Sequence, residues 1–229
     1  MLKYFTENTK LAEAITSCPI LVQLLPRFNI SLGFGDRTIG NVCDKFNVPL
    51  NLFLDVCNIY AFDNFKPSLK NITQNDIDHL VNYLKESHIY YFNRRIPHIE
   101  KHLNVIAEQI DNKSGKILLR FFLQYKEEVK EHFNYEEENV FPLLKDLWNN
   151  AENSSEFYGY DEAHTNIEDT LNDLIQIVFK YLPSNVESEN TIGMAFDILL
   201  LAEDLKKHAL IEEHLLVPFV EYLERRNKK

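Results

Sequence analysis

From Thr73 onward, apolar side chains recur three and four residues apart, the spacing of one face of an α-helix. Ile77, Leu80, Val81, Leu84, His88, Tyr91, Phe92 and Arg95 mark a first long helix, with Thr73 as its cap. Leu118, Leu119, Phe122, Tyr125, Val129, His132 and Phe133 make one stripe of a second, expected to begin after Ser114-Gly115. A third runs from about Phe157 to Leu182 and stops at Pro183-Ser184-Asn185; a fourth spans about Glu189 to Arg226. Long helices with short connections pack as antiparallel neighbours, so residues 74–229 are expected to form an antiparallel four-helix bundle. Residues 1–62 show shorter helical patterns, broken by Pro19, Pro26, the Gly33–Gly35 turn and Pro49, with Asn47-Val48-Pro49 as a helix start. The polar, unpatterned stretch 63–73 reads as a linker. The expected class is therefore all-α, a small helical N-terminal domain followed by the bundle. Pro97, Pro142 and Pro218 fall inside helical patterns and are expected to kink or end them.

Composition narrows the function classes. Hydrophobic residues at 45% are enough for a core, and only 6 glycines and 8 prolines favour long helices over many strands. A net charge of −11 argues against a nucleic-acid partner, which would need Lys and Arg for the phosphates. The terminal Arg225-Arg226-Asn227-Lys228-Lys229 reads as a cationic helix end rather than a targeting tail. No apolar run suits a signal peptide or a membrane span. Cys18, Cys43 and Cys57 have no Cys-x-x-Cys spacing and read as small buried hydrophobes, reduced in a cytoplasmic protein.

The chemistry lies in a repeat. At an offset of 76 residues His88 recurs as His164, His132 as His208, Glu136 as Glu212, Glu137 as Glu213 and Pro142 as Pro218. In each copy the lone His precedes the His-x-x-x-Glu by 44 residues, so a helix pair is used twice. Residues four apart share a helix face, so His132 points with Glu136 and His208 with Glu212. A single His-x-x-x-Glu is usually an exposed pair, but buried His and Glu at three repeated core-facing positions are costly unless they are paired or ligate. Six N and O donors with two-fold pseudosymmetry suit two metals, each with two imidazoles and a share of two bridging carboxylates. Imidazole with carboxylate suits iron, zinc or manganese. No catalytic side chain stands out beside these ligands.

His79, His98, His102 and His214 have no counterpart at that offset. His98 and His102, four apart, read as a surface pair rather than a second metal site, and His214 is turned away from Glu212. Glu168 and Tyr160, one turn on either side of His164, are the nearest candidates to hold its second nitrogen, although Glu168 reads first as part of a solvated face. Tyr90, Tyr91 and Tyr135 read as core packing.

The order lone His, His-x-x-x-Glu, lone His, His-x-x-x-Glu, with Phe-Pro or Val-Pro after each glutamate, resembles the hemerythrin-like di-iron proteins. More narrowly it is similar to the repair-of-iron-centres family, and Leu-Pro-Arg-Phe-Asn-Ile near the start resembles that family's small N-terminal domain. The resemblance implies that His88, His132, Glu136, His164, His208 and Glu212 hold two iron ions. It also implies repair of iron–sulfur clusters after nitrosative or oxidative stress, with nitric oxide or dioxygen as small ligands and iron–sulfur proteins as clients; the helical N-terminal segment could in addition serve a homodimer. The alternative is a module that binds or senses dioxygen or nitric oxide without turnover. Where the family carries a Cys-Cys pair followed by glycines, this chain has Ser31-Leu32-Gly33-Phe34-Gly35-Asp36, so a thiol role is not carried over. Oxygen carriers of the hemerythrin type place a fifth histidine where Glu168 stands, and their last carboxylate lies five residues past its histidine instead of four.

Overall fold

The structure is a computed structural model that describes residues 4–68, 72–149, 160–182 and 188–227. Its fold is all-α, an antiparallel four-helix bundle preceded by small helices. In chain order the helices are α1 (Leu11–Ser17), α2 (Leu24–Arg27), α3 (Ile39–Phe46), α4 (Leu50–Ala61), α5 (Gln74–Tyr90), α6 (Ile96–Gln109), α7 (Asn112–Tyr135), α8 (Phe141–Trp148), α9 (Tyr160–Tyr181), α10 (Ser188–Ile211) and α11 (Val217–Asn227). Three π-helical turns, Tyr91–Arg95, Glu136–Val140 and Glu212–Leu216, join α5 to α6, α7 to α8 and α10 to α11. The chain divides into two compact units.

One unit comprises Met1–Ser87, Phe141–Asn153 and Lys207–Lys229. Its small helices have local causes. The Thr38 hydroxyl accepts the Asn41 N–H and starts α3, and Asn47, left-handed at φ 54°, ends it. Asn47 thus closes one helix, and Pro49 is the residue that leads into α4. Gly33 and Gly35 turn the chain at φ 86° and 65°, as the Gly33–Gly35 pattern predicts. Thr73 and Asp76 cap α5 reciprocally, each side chain accepting from the other's backbone N–H. Leu24, Val42, Phe53, Val56, Ile77 and Leu80 lie in its core, together with Arg27, whose guanidinium donates to the hydroxyls of Tyr60 and Tyr83. Cys43 and Cys57 are buried here too, and burial pushes the Cys43 thiol up to about 12, so neither behaves as a nucleophile. Arg226 donates to the carbonyls of Leu147 and Trp148, so the basic cluster serves the end of α8 as well as its own helix. Lys228 and Lys229 lie outside the described residues.

The other unit comprises His88–Val140 and Ser154–Lys206. Its core draws on all four bundle segments, with Ile99 and Leu103 from α6, Phe122, Tyr125 and Val129 from α7, Leu171 and Leu174 from α9, and Ile198 and Leu201 from α10. Only Ile110 and Asp111 separate α6 from α7, and the Asp111 carboxylate caps α7 by accepting from the N–H groups of Lys113 and Ser114. The second long helix therefore starts ahead of Ser114-Gly115 instead of after it. Gly115 has another reason to be there: a Cβ at that position would stand 2.5 Å from the Ala107 carbonyl oxygen. The expected start of the third helix at Phe157 and its stop at Pro183-Ser184-Asn185 lie outside the described residues. No helix among the described residues is long and apolar enough to cross a membrane.

Candidate metal centre

The site is built around Glu136, the first residue of the second π turn and fully buried. Its i−4 partner His132 places Nε2 3.0 Å from Oε1, as the helical spacing predicts. His88, near the end of α5, brings Nε2 to 3.1 Å from Oε2, and His164 of α9 brings Nε2 to 3.8 Å from Oε1. One ligand atom from each of His132, Glu136 and His164 lies within 4.8 Å of the others, and the rings of His132 and His164 meet edge to face at 4.6 Å. Four of the sequence-derived ligands thus converge inside one unit.

The electrostatics fit a cation. Burial alone would raise the Glu136 carboxyl, but contact with His132, His164 and His88 outweighs it and holds the group well below the usual carboxylate range. His88 uses Nδ1 to donate to Glu137 Oε1 at 2.8 Å, which leaves Nε2 as the atom aimed at Glu136. Both Glu136 oxygens are buried, and three imidazole nitrogens stand close to them. Imidazole nitrogens and a carboxylate gathered at such distances are the donor types that a divalent transition metal takes. His88 is held in place by stacking on Phe133, 3.9 Å between ring centroids and 6° between planes.

The second copy of the motif lies in the other unit. His208 and Glu212 are buried, with Nε2 to Oε1 again 3.0 Å, and Glu212 again opens a π turn. In two of the π turns the backbone makes the closing bond: Ile96 N–H donates to Tyr91 O and Val217 N–H to Glu212 O, five residues back. Each of the three turns ends two residues before a proline, Pro97, Pro142 or Pro218. A proline inside a helix has no N–H and crowds the carbonyl four residues back, and the extra residue of a π turn absorbs that clash. The expected kinks are therefore π turns after which the helices continue, and two of them begin at the candidate glutamates.

Sequence reasoning missed the part played by Glu137. Its signal was present, since Glu137 recurs as Glu213 at the repeat offset. Glu168, expected near His164, lines a groove of about 300 Å³ with Leu171, Leu199 and Lys206, whereas the side chain of Tyr160 lies outside the described residues. Tyr91 is core, as expected; Tyr135 is 44% exposed and lines a second groove, of about 610 Å³, with His132, Glu128, Glu131, Asp169 and Asp173.

Residues 79–220, more than half of the 229-residue chain, match the model of the hemerythrin HHE cation binding domain. The chain belongs to the hemerythrin family. No curated protein and no solved structure matches it. As a hemerythrin-family chain it is a metal-binding helical protein, and its buried His and Glu groups are the residues able to hold the cation.

Proposed function

We propose that this hemerythrin-family chain holds two iron ions through His88, His132, Glu136, His164, His208 and Glu212, and takes part in repair of iron–sulfur clusters damaged by nitric oxide or oxidants. The observation that carries the reading is the buried, ionised Glu136 ringed by three histidines, with a second buried His-x-x-x-Glu of the same 3.0 Å geometry at the repeat offset. Each His-x-x-x-Glu would supply one imidazole and one carboxylate, and His88 and His164 would add the remaining imidazoles. Zinc and manganese suit the same donors, and resemblance to the di-iron proteins favours iron. When bound, such a pair supplies ferrous–ferric redox chemistry and open positions for nitric oxide or dioxygen. The protein's own residues orient the donors: Glu137 fixes the His88 ring and Phe133 stacks on it.

Iron–sulfur proteins are the proposed clients, in the cytoplasm, and a homodimer through the N-terminal helices is the proposed assembly. Elemental analysis of protein purified without chelator is the first test. Close to two irons per chain is expected, with loss on His132→Ala or His208→Ala and retention on His79→Ala. Two-iron protein should then restore activity to an iron–sulfur dehydratase inactivated by nitric oxide. Reversible diatomic binding with no restoration would replace repair by sensing, and zinc alone or no metal would overturn the di-iron reading.

A further inference from the structure

Asp197 of α10 is largely buried in the second unit, at 13% side-chain exposure, and three cationic or imidazole groups converge on it. His98 Nδ1 lies 2.6 Å from Oδ2, His102 Nε2 lies 3.9 Å from the same oxygen, and Arg95 Nη1 donates to Oδ1 at 3.2 Å. His98 and His102 are one turn apart on α6, and their rings meet edge to face at 4.9 Å. One ligand atom from each of His98, His102 and Asp197 lies within 4.8 Å of the others. A surface pair explains the i,i+4 spacing of the histidines, but it does not explain why both address one carboxylate oxygen on another helix.

We propose that His98, His102 and Asp197 form a separate, mononuclear site for a labile divalent transition metal of the zinc class, which ties α6 to α10. Zinc–ligand bonds of about 2.0–2.1 Å arranged tetrahedrally put ligand atoms roughly 3.4 Å apart. The observed 2.6 and 3.9 Å fall on either side of that value, so small side-chain rotations bring both imidazoles onto one ion. Two imidazoles and a carboxylate without thiolate suit zinc or ferrous iron, and three protein ligands leave a position for water. On binding, the proton on His98 Nδ1 moves through solvent to Nε2, so the ring stays neutral and Nδ1 becomes the donor to the metal.

The surroundings agree with a weak, exchangeable site. Arg95 occupies Oδ1 and leaves Oδ2 to the ion, and its own position is fixed by its guanidinium 5.5 Å over the Tyr90 ring. Its positive charge opposes a second cation and keeps the affinity moderate. His98 is 58% exposed, so the site exchanges with solvent. One turn before Asp197, Gly193 has no side chain; a Cβ there would stand 3.7 Å from His102 Nε2, and a larger group would cover that nitrogen. The site shares no ligand with the proposed iron pair and does not depend on it.

The test is a calorimetric titration of the full-length, iron-loaded protein with Zn²⁺, with iron followed by elemental analysis throughout. One further equivalent of zinc is expected while the iron stays bound, and Co²⁺ in its place should give the visible absorption of a tetrahedral N/O site. His98→Ala and Asp197→Asn should each weaken that equivalent at least about tenfold, a lower bound for a lost ligand when even outer partners are worth that much. Because His98 is mostly exposed, its replacement tests the site even if Asp197→Asn fails to fold. No uptake by the iron-loaded protein, uptake unchanged in His98→Ala, or uptake matched by iron release would overturn the assignment and leave Asp197 an ion-pair anchor only.

Discussion

Glu137 holds the first nitrogen outward from the candidate centre, and what it does can be separated from mere acidity nearby. Its carboxylate accepts the His88 Nδ1 proton at 2.8 Å, which fixes the ring's tautomer and makes Nε2 a better donor. Glu138, its neighbour, is exposed. Glu137→Gln keeps an acceptor but loses the charge, so metal retention against a competing chelator should fall by about ten- to a hundredfold. Glu138→Gln should leave it unchanged. Equal retention in the two variants would show that His88 is oriented by Phe133 stacking alone. The six candidate residues stand out in the sequence because a duplication repeats three positions at one offset, on core-facing stripes. Glu137 recurs at that offset as well, but outward-facing glutamates are common on helices, so its role needed the distance. Asp197 was not legible as a partner of His98 and His102. It lies 99 residues from His98, has no repeat copy among the histidine motifs, and meets them only because two helices pack.

Helices were legible to within a few residues, because long runs at three- and four-residue spacing leave little else for a chain to do. Their irregularities were less so. A π turn adds one residue to a turn and shifts the apolar stripe too little to break the pattern, so the sequence shows only the proline two residues beyond. Ser114-Gly115 looked like a break, and proved to be a place where two helices come too close for a side chain. At Gly115 an added Cβ would meet the Ala107 carbonyl oxygen at 2.5 Å, a contact with backbone that no rotamer change relieves. Alanine is the better helix former by about 1 kcal/mol, so propensity alone says that Gly115→Ala stabilises. Packing says otherwise, since forcing helices apart at a tight crossing costs about 1–3 kcal/mol. The packing term wins, and thermal denaturation should show a lower midpoint for Gly115→Ala. A higher midpoint would mean that the α6–α7 connection yields at little cost and that the glycine is not required by the close approach.

At the scale of the whole molecule the dominant quantity is charge, −11 over 229 residues, and part of it is concentrated where it can act on a cation. The groove of about 610 Å³ beside His132 is lined by Glu128, Glu131, Asp169 and Asp173, with no Lys or Arg among the described residues that line it. A concave surface of one sign focuses the field and raises the local concentration of opposite ions, and the effect decays over a screening length of about 30 Å at 0.01 M salt but about 8 Å at 0.15 M. Ferrous ion carries two positive charges and its proposed ligand His132 opens onto this groove. Uptake by the metal-free protein under anaerobic conditions should therefore slow by roughly tenfold between those two salt concentrations. Replacing Glu128, Glu131, Asp169 and Asp173 by their amides should slow uptake at low salt and flatten the salt dependence. The amount of iron finally bound should stay the same, because none of the four is a proposed ligand. If the quadruple variant takes up iron as fast as the parent at low salt, ions reach His132 by some route other than this groove, and the negative charge serves solubility alone. If it binds less iron at saturation, the groove is part of the centre itself and the six-ligand assignment is incomplete.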